Sequence, residues 1–122
     1  MYLKLDDWQW RIAVHLRAGR PGLLYLGLEL ASELALEQAL AELRAAGCEA
    51  RRGTDAEAHA RAVAGIVHTR DPMGNAIELF YGPVKDRKFN SPRGTRFCAA
   101  GLGLGHLNLL AAPLVEARDF YT

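Results

Sequence analysis

The chain has 122 residues, half of them hydrophobic, and its 15 lysines and arginines nearly cancel its 14 aspartates and glutamates to a formal net charge of +1. That length suits one domain with a real core and is short for two, the composition excludes an intrinsically disordered chain, and the charge balance offers little to a nucleic-acid backbone. The longest apolar stretch, residues 99–115, is broken by Gly101, Gly103, His106 and Asn108, so it lacks the roughly 18 uninterrupted residues of a membrane span. The opening Met-Tyr-Leu-Lys-Leu-Asp-Asp has no basic region leading into an apolar one. A soluble, cytoplasmic protein is therefore expected, in which the widely separated Cys48 and Cys98 are free thiols.

In chain order, residues 2–5 and 9–16 carry strand-like apolar patterns, the second with Trp10, Ile12 and Val14, and both suit partly buried strands. The turn signal Ala18-Gly-Arg-Pro-Gly ends this region, and residues 23–30 follow as an apolar run of strand length. Ser32 then predicts a helix N-cap, Glu33 places a negative charge at the positive end of the helix, and Leu36, Leu40 and Leu43 recur at helical spacing before Gly47. The opposite face carries Glu37, Gln38, Glu42 and Arg44, so this helix packs one side on a sheet and shows the other to water.

Residues 49–52 predict a short strand, and residues 53–62 a polar connection with room for a turn of helix. Residues 64–70 and 76–81 are two further strands around Asp71-Pro-Met-Gly-Asn, a sequence that reverses the chain. Residues 82–95 have the prolines, glycines and mixed charges of a surface linker. Residues 104–110 return to strand character, and a helical pattern occupies residues 114–121. The predicted core is Ile12, Val14, Leu28, Leu36, Leu40, Leu43, Ile66, Ile77 and Leu79.

No HxH, HExxH or HxxxH spacing joins any of the four histidines, so a metal site would have to be assembled across strands. His106 shares a strand face with Asn108 and reads either as a hydrogen-bonded strand histidine or as a ligand. His15, His59 and His68 read as structural. Glu78, between Ile77 and Leu79, is either solvated or a carboxylate on the concave side of a sheet, where burial would require a metal or another cation. Gly101-Leu-Gly-Leu-Gly-His lacks the GxGxxG spacing and precedes a strand, which argues against nucleotide binding. Lys85, Arg87, Lys88, Arg93 and Arg96 are interspersed with Asp86 and prolines and read as a solvated segment.

Four segments, Trp10-Arg-Ile-Ala-Val-His, Tyr25-Leu-Gly-Leu-Glu-Leu-Ala, Asp71-Pro-Met-Gly-Asn-Ala-Ile-Glu-Leu-Phe-Tyr-Gly and Gly103-Leu-Gly-His-Leu-Asn, carry a resemblance that spans nearly the whole chain. In them the sequence resembles the amino-terminal portion of type I extradiol ring-cleavage dioxygenases. These enzymes open 2,3-dihydroxybiphenyl and related catechols and belong to the vicinal-oxygen-chelate (glyoxalase, bleomycin resistance, dioxygenase) superfamily. The DPxGN-x-IE hairpin alone recurs across that superfamily.

The resemblance implies an α+β fold of βαβββ modules, each a curved mixed sheet with a helix on its outer face. It divides the chain into 1–21, the end of a preceding module; 22–82, a complete module; 83–103, a linker; and 104–122, the start of a following module. It implies non-haem Fe(II), dioxygen and a catechol-type substrate; a homo-oligomer is also expected, and the open sheet edge of a lone module makes a strand-swapped dimer one of its forms. His106 matches the first histidine of the family's two-histidine, one-carboxylate iron site, whose other members would lie beyond Thr122. Glu78 matches a superfamily metal position, although in a module that binds no iron in these dioxygenases, and Tyr25 stands where His106 stands in its own module. No catalytic or organic-cofactor residue is assigned, and the chain alone is expected to be inactive. Two other functions stay open: a ligand-sequestering module of the antibiotic-binding kind, and a glyoxalase-like metal-dependent lyase or isomerase working as a dimer. A bolder expectation is that residues 104–110 pair with residues 9–15, within or between chains, bringing His106 and Glu78 to one cavity.

Overall fold

The computed structural model describes residues 1–16, 18–19, 21–95, 104 and 106–122. Cys98 and most of the glycine-rich segment that precedes His106 lie outside the described residues. The chain forms two compact units, one of Met1–Pro21 with Pro83–Leu109 and one of Gly22–Gly82 with Leu110–Thr122.

In the first unit, β1 (Tyr2–Leu3) and β2 (Ile12–Ala13) form a two-residue antiparallel ladder. Asp6 holds the intervening loop by accepting from the Trp8 backbone at 3.0 Å and from Arg11 Nε at 2.7 Å, and the Arg11 guanidinium lies 3.0 Å from the centre of the Trp8 ring. Residues 84–89 lie against this loop and not free over a surface. Gln9 donates to the Val84 carbonyl, Lys4 pairs with Asp86, and Asp7 accepts from the Phe89 backbone.

The second unit holds β3 (Leu26–Glu29), α1 (Glu33–Ala45), β4 (Ala50–Arg52), α2 (Asp55–Arg61), β5 (Gly65–Arg70), β6 (Ala76–Tyr81) and α3 (Leu114–Tyr121). Its strands are ordered β3-β6-β5-β4, with β3 parallel to β6 and the other pairs antiparallel. The crossover through α1 brings β4 in parallel to β3, and two reversals, one carrying α2 and one the turn 71–75, then return β6 parallel to β3.

Helix α1 starts where Ser32 accepts from the Ala35 backbone, and stops where Gly47, at φ +79°, lets Cys48 donate back to the Leu43 carbonyl. Leu36 and Leu40 from α1 meet Val67 in a closed core, flanked by Leu30, Ala50, Leu79 and Tyr81. Arg52 also projects to this side and pairs with Glu33 and Glu37 of α1. Turn 71–75 is built on Asp71, which accepts from the backbones of Met73 and Asn75, from the Asn75 side chain and, at 3.0 Å, from the hydroxyl of Tyr121 at the end of α3. Burial pushes the Asp71 carboxyl up, but these hydrogen bonds together outweigh it and hold the group below its ordinary range; burial and the Asp71 bond raise the Tyr121 phenol to about 12.

Three expectations are corrected. Residues 106–110 are not a strand and β2 pairs only with β1, so among the described residues no ladder joins the segment 104–110 to residues 9–15 within the chain. An apolar alternation makes a strand only where another strand receives its amides and carbonyls, and none does here. Val14 and Leu28 are not core, being 45% and 37% exposed, and Ile12, Leu43 and Leu79 are only half-buried. Leu36, Leu40, Ile66 and Ile77 are buried as expected. No helix among the described residues is long and apolar enough to cross a membrane.

Candidate functional site

Strand register builds the site. Gly27 of β3 stands beside Glu78 of β6, Glu78 beside His68 of β5, and His68 beside Arg51 of β4, one row across all four strands. Because side chains alternate along a strand, this row lies on the face opposite Val67 and Leu79, away from α1. Ile66 and Phe80 form the neighbouring pair on the same face.

Helix α2 covers this face, and its position follows from a capping box. Thr54 accepts from the Glu57 backbone at 3.2 Å, while the Glu57 carboxylate accepts from the Thr54 backbone at 2.8 Å. Glu57 and Arg61 stand four residues apart and therefore share one side of the helix. Arg61 binds both oxygens of Glu78, from Nε at 2.8 Å and from Nη2 at 2.9 Å, and its guanidinium carbon lies 4.1 Å from the centre of the Tyr25 ring. Arg51 clasps Glu57 in the same two-pronged way, at 3.0 and 2.7 Å. The result is a line of alternating charge, Arg51, Glu57, His68, Glu78 and Arg61, in which the middle member is a histidine.

Each imidazole nitrogen of His68 lies 3.6 Å from a carboxylate oxygen, Nδ1 from Glu78 and Nε2 from Glu57, beyond hydrogen-bond reach. Nε2 is buried and has no hydrogen-bond partner among the described residues. Gly53 is required beside it, because a Cβ there would come within 3.0 Å of Nε2 and collide with Ile66. Burial pulls the His68 pKa below the ordinary value of 6.5; Arg51 and Arg61 add to that, while Glu78 and Glu57 oppose it. The hydrogen bonds from Arg51, and then from Thr54, hold Glu57 far below the usual carboxylate range.

The sign for stability follows. When pH falls through 6.5 the unfolded chain takes up a proton at His68 that the folded chain refuses, so stability drops, and the loss levels off below the folded pKa. Urea midpoints of the native chain and His68→Gln, compared from pH 7.5 to 5.5, should fall more steeply for the native chain. Equal slopes would mean that His68 does not titrate differently on folding.

Of the two metal candidates, Glu78 is buried, 6% exposed, with both oxygens committed to Arg61. His106 is exposed, in no strand, and belongs to the other unit. Among the described residues no group of three histidine, cysteine, aspartate or glutamate side chains could hold a metal ion, so the donors present do not fit an iron centre of three protein ligands. Sequence reasoning passed over Arg61, Glu57 and Arg51. The signal that could have found them is Thr54-Asp-Ala-Glu57, a capping-box spacing that places α2 and hence the Glu57 and Arg61 pair.

Comparison with known proteins gives this geometry a family. No protein-family model matches the chain. It is 34% identical over 125 residues to a biphenyl-2,3-diol 1,2-dioxygenase of Sphingomonas paucimobilis, covering 99% of the chain and 42% of that protein. It is 32% identical over 126 residues to an iron-dependent extradiol dioxygenase of Rhodococcus jostii (strain RHA1), covering 99% and 40%. Its fold superposes on a crystal structure of catechol 2,3-dioxygenase with a TM-score of 0.90 and 36% identity, over 98% of the chain and 41% of that structure.

The chain thus has the α+β fold of the vicinal-oxygen-chelate superfamily. Within it, the chain is similar to the amino-terminal portion of the extradiol ring-cleavage dioxygenases. It spans about two-fifths of the length of the curated relatives it matches.

Proposed function

We propose that the chain is the amino-terminal part of an extradiol dioxygenase acting on catechol-type diols with Fe(II) and dioxygen, and that its role is to scaffold a catalytic site completed elsewhere. The observation that carries this reading is the match to ring-cleaving dioxygenases over 99% of the chain at 34% identity. The division at residues 22, 83 and 104 into successive module pieces is part of the same reading. So is His106 as the one iron ligand this segment supplies. The commitment of both Glu78 oxygens to Arg61 speaks against a glyoxalase-like metal site in the complete module. A homo-oligomer also belongs to the reading, supported by the exposure of Leu34, Leu110, Leu114 and Val115.

The test is a chimera in which residues 1–122 replace the corresponding portion of the Sphingomonas paucimobilis relative. Loaded anaerobically with Fe(II) and then exposed to oxygen, it should convert 2,3-dihydroxybiphenyl to the yellow ring-fission product, and His106→Ala should abolish conversion while leaving the chimera folded. The isolated chain should produce none. Full activity in the His106→Ala chimera would remove His106 from the site, and product from the isolated chain would refute the scaffold role.

A further inference from the structure

We propose that Arg61 stands in for a metal ion on the α2-covered face of the sheet, its guanidinium closing a two-donor cation seat formed by Glu78 and His68. The inference concerns the second unit alone and stands whether or not the dioxygenase reading holds.

Glu78 projects from the middle of a sheet with its side chain 7% exposed, and a carboxylate so placed needs a cation to offset its lost hydration. Here the cation does not come from the sheet. It is delivered by one side chain of a short helix, Arg61, which meets both oxygens at 2.8 and 2.9 Å and lies over the Tyr25 ring. The neighbour of Glu78 in the row is His68, with Nδ1 at 3.6 Å from Glu78 Oε1. Two donors about 2.1 Å from one divalent ion sit roughly 3.0–3.4 Å apart, so a few tenths of an ångström of side-chain adjustment would let both bind one ion. The guanidinium already occupies both carboxylate oxygens, and its positive charge repels a second cation. The same seat can therefore hold the arginine or a metal, not both.

The probe is Co(II), whose visible absorbance reports coordination by imidazole and carboxylate, read together with the melting temperature of the 122-residue chain with and without the ion. Arg61→Ala should melt lower than the native chain in EDTA and recover part of that loss on Co(II) addition, with Co(II) binding about tenfold tighter than in the native chain, a difference of about 1.4 kcal/mol. Adding either Glu78→Gln or His68→Gln to Arg61→Ala should abolish both the absorbance and the recovery. If Arg61→Ala is unfolded in EDTA, the same titration should refold it, as read by circular dichroism. The proposal is overturned if Co(II) affects Arg61→Ala no more than the native chain, if the effect survives either second substitution, or if the native chain itself binds Co(II) through Glu78, as shown by loss in Glu78→Gln.

Discussion

Leu36→Ala is expected to destabilise the chain by about 3–5 kcal/mol, the range for emptying a fully enclosed leucine site. Leu36 is 0% exposed, and with Leu40 and Val67 it makes up the closed contact between α1 and the sheet. The helix is fixed by its caps and the sheet by its ladders, so neither can collapse readily into the cavity. A loss of this size is a large share of the 5–15 kcal/mol typical of a whole domain. Urea denaturation should show it as a lower midpoint at unchanged slope. Leu34→Ala, at a position 67% exposed on the same helix, should change stability by less than about 0.5 kcal/mol. Equal effects at the two positions would mean that the burial pattern of α1 is wrong.

The second large effect is expected from Arg61→Met, which keeps most of the side-chain volume but leaves Glu78 buried without its cation. Removing one partner of a buried ion pair costs about 3–5 kcal/mol, and the low end applies because the Arg61 side chain is 27% exposed. The paired substitution Arg61→Met with Glu78→Gln should recover most of that loss, since the orphaned charge has gone. The double-mutant cycle should therefore return a coupling of at least about 1 kcal/mol. Strict additivity would show that the guanidinium and carboxylate do not depend on each other in solution, whatever their separation in the structure.

How much of this was legible in the sequence depends on the range of the interaction. Helix α1 was readable because Ser32, the leucines and Gly47 act within a few residues of one another. Strands β5 and β6 were readable because Asp71 to Asn75 set their reversal locally, and the terminal helix because Pro113 precedes its periodic residues. Periodicity reports which residues are apolar, but not which face is covered, and so it places Val14 and Leu28 in a core that they do not join. Residues 106–110 have the pattern of a strand, but among the described residues no strand receives them.

The site was harder to read. Charged side chains normally imply a solvated surface, and the pairing of Arg61 with Glu78 links α2 to β6 across 17 residues. The sequence could pose the question for Glu78, that burial there requires a metal or another cation. Only the register of β6 and the placement of α2 answer it with Arg61.

The hydrogen bond from Tyr121 to Asp71 sets a timetable for synthesis. It spans 50 residues, so every strand of the four-stranded sheet has been made well before the last donor to Asp71 exists. At roughly 5–20 residues per second that interval is about 3–10 s. Through it, the Asp71 carboxylate has only the donors of Met73 and Asn75, and it gains its fourth hydrogen bond only when the end of α3 arrives. The residues of the hairpin are therefore synthesised first and the residue that clamps it last.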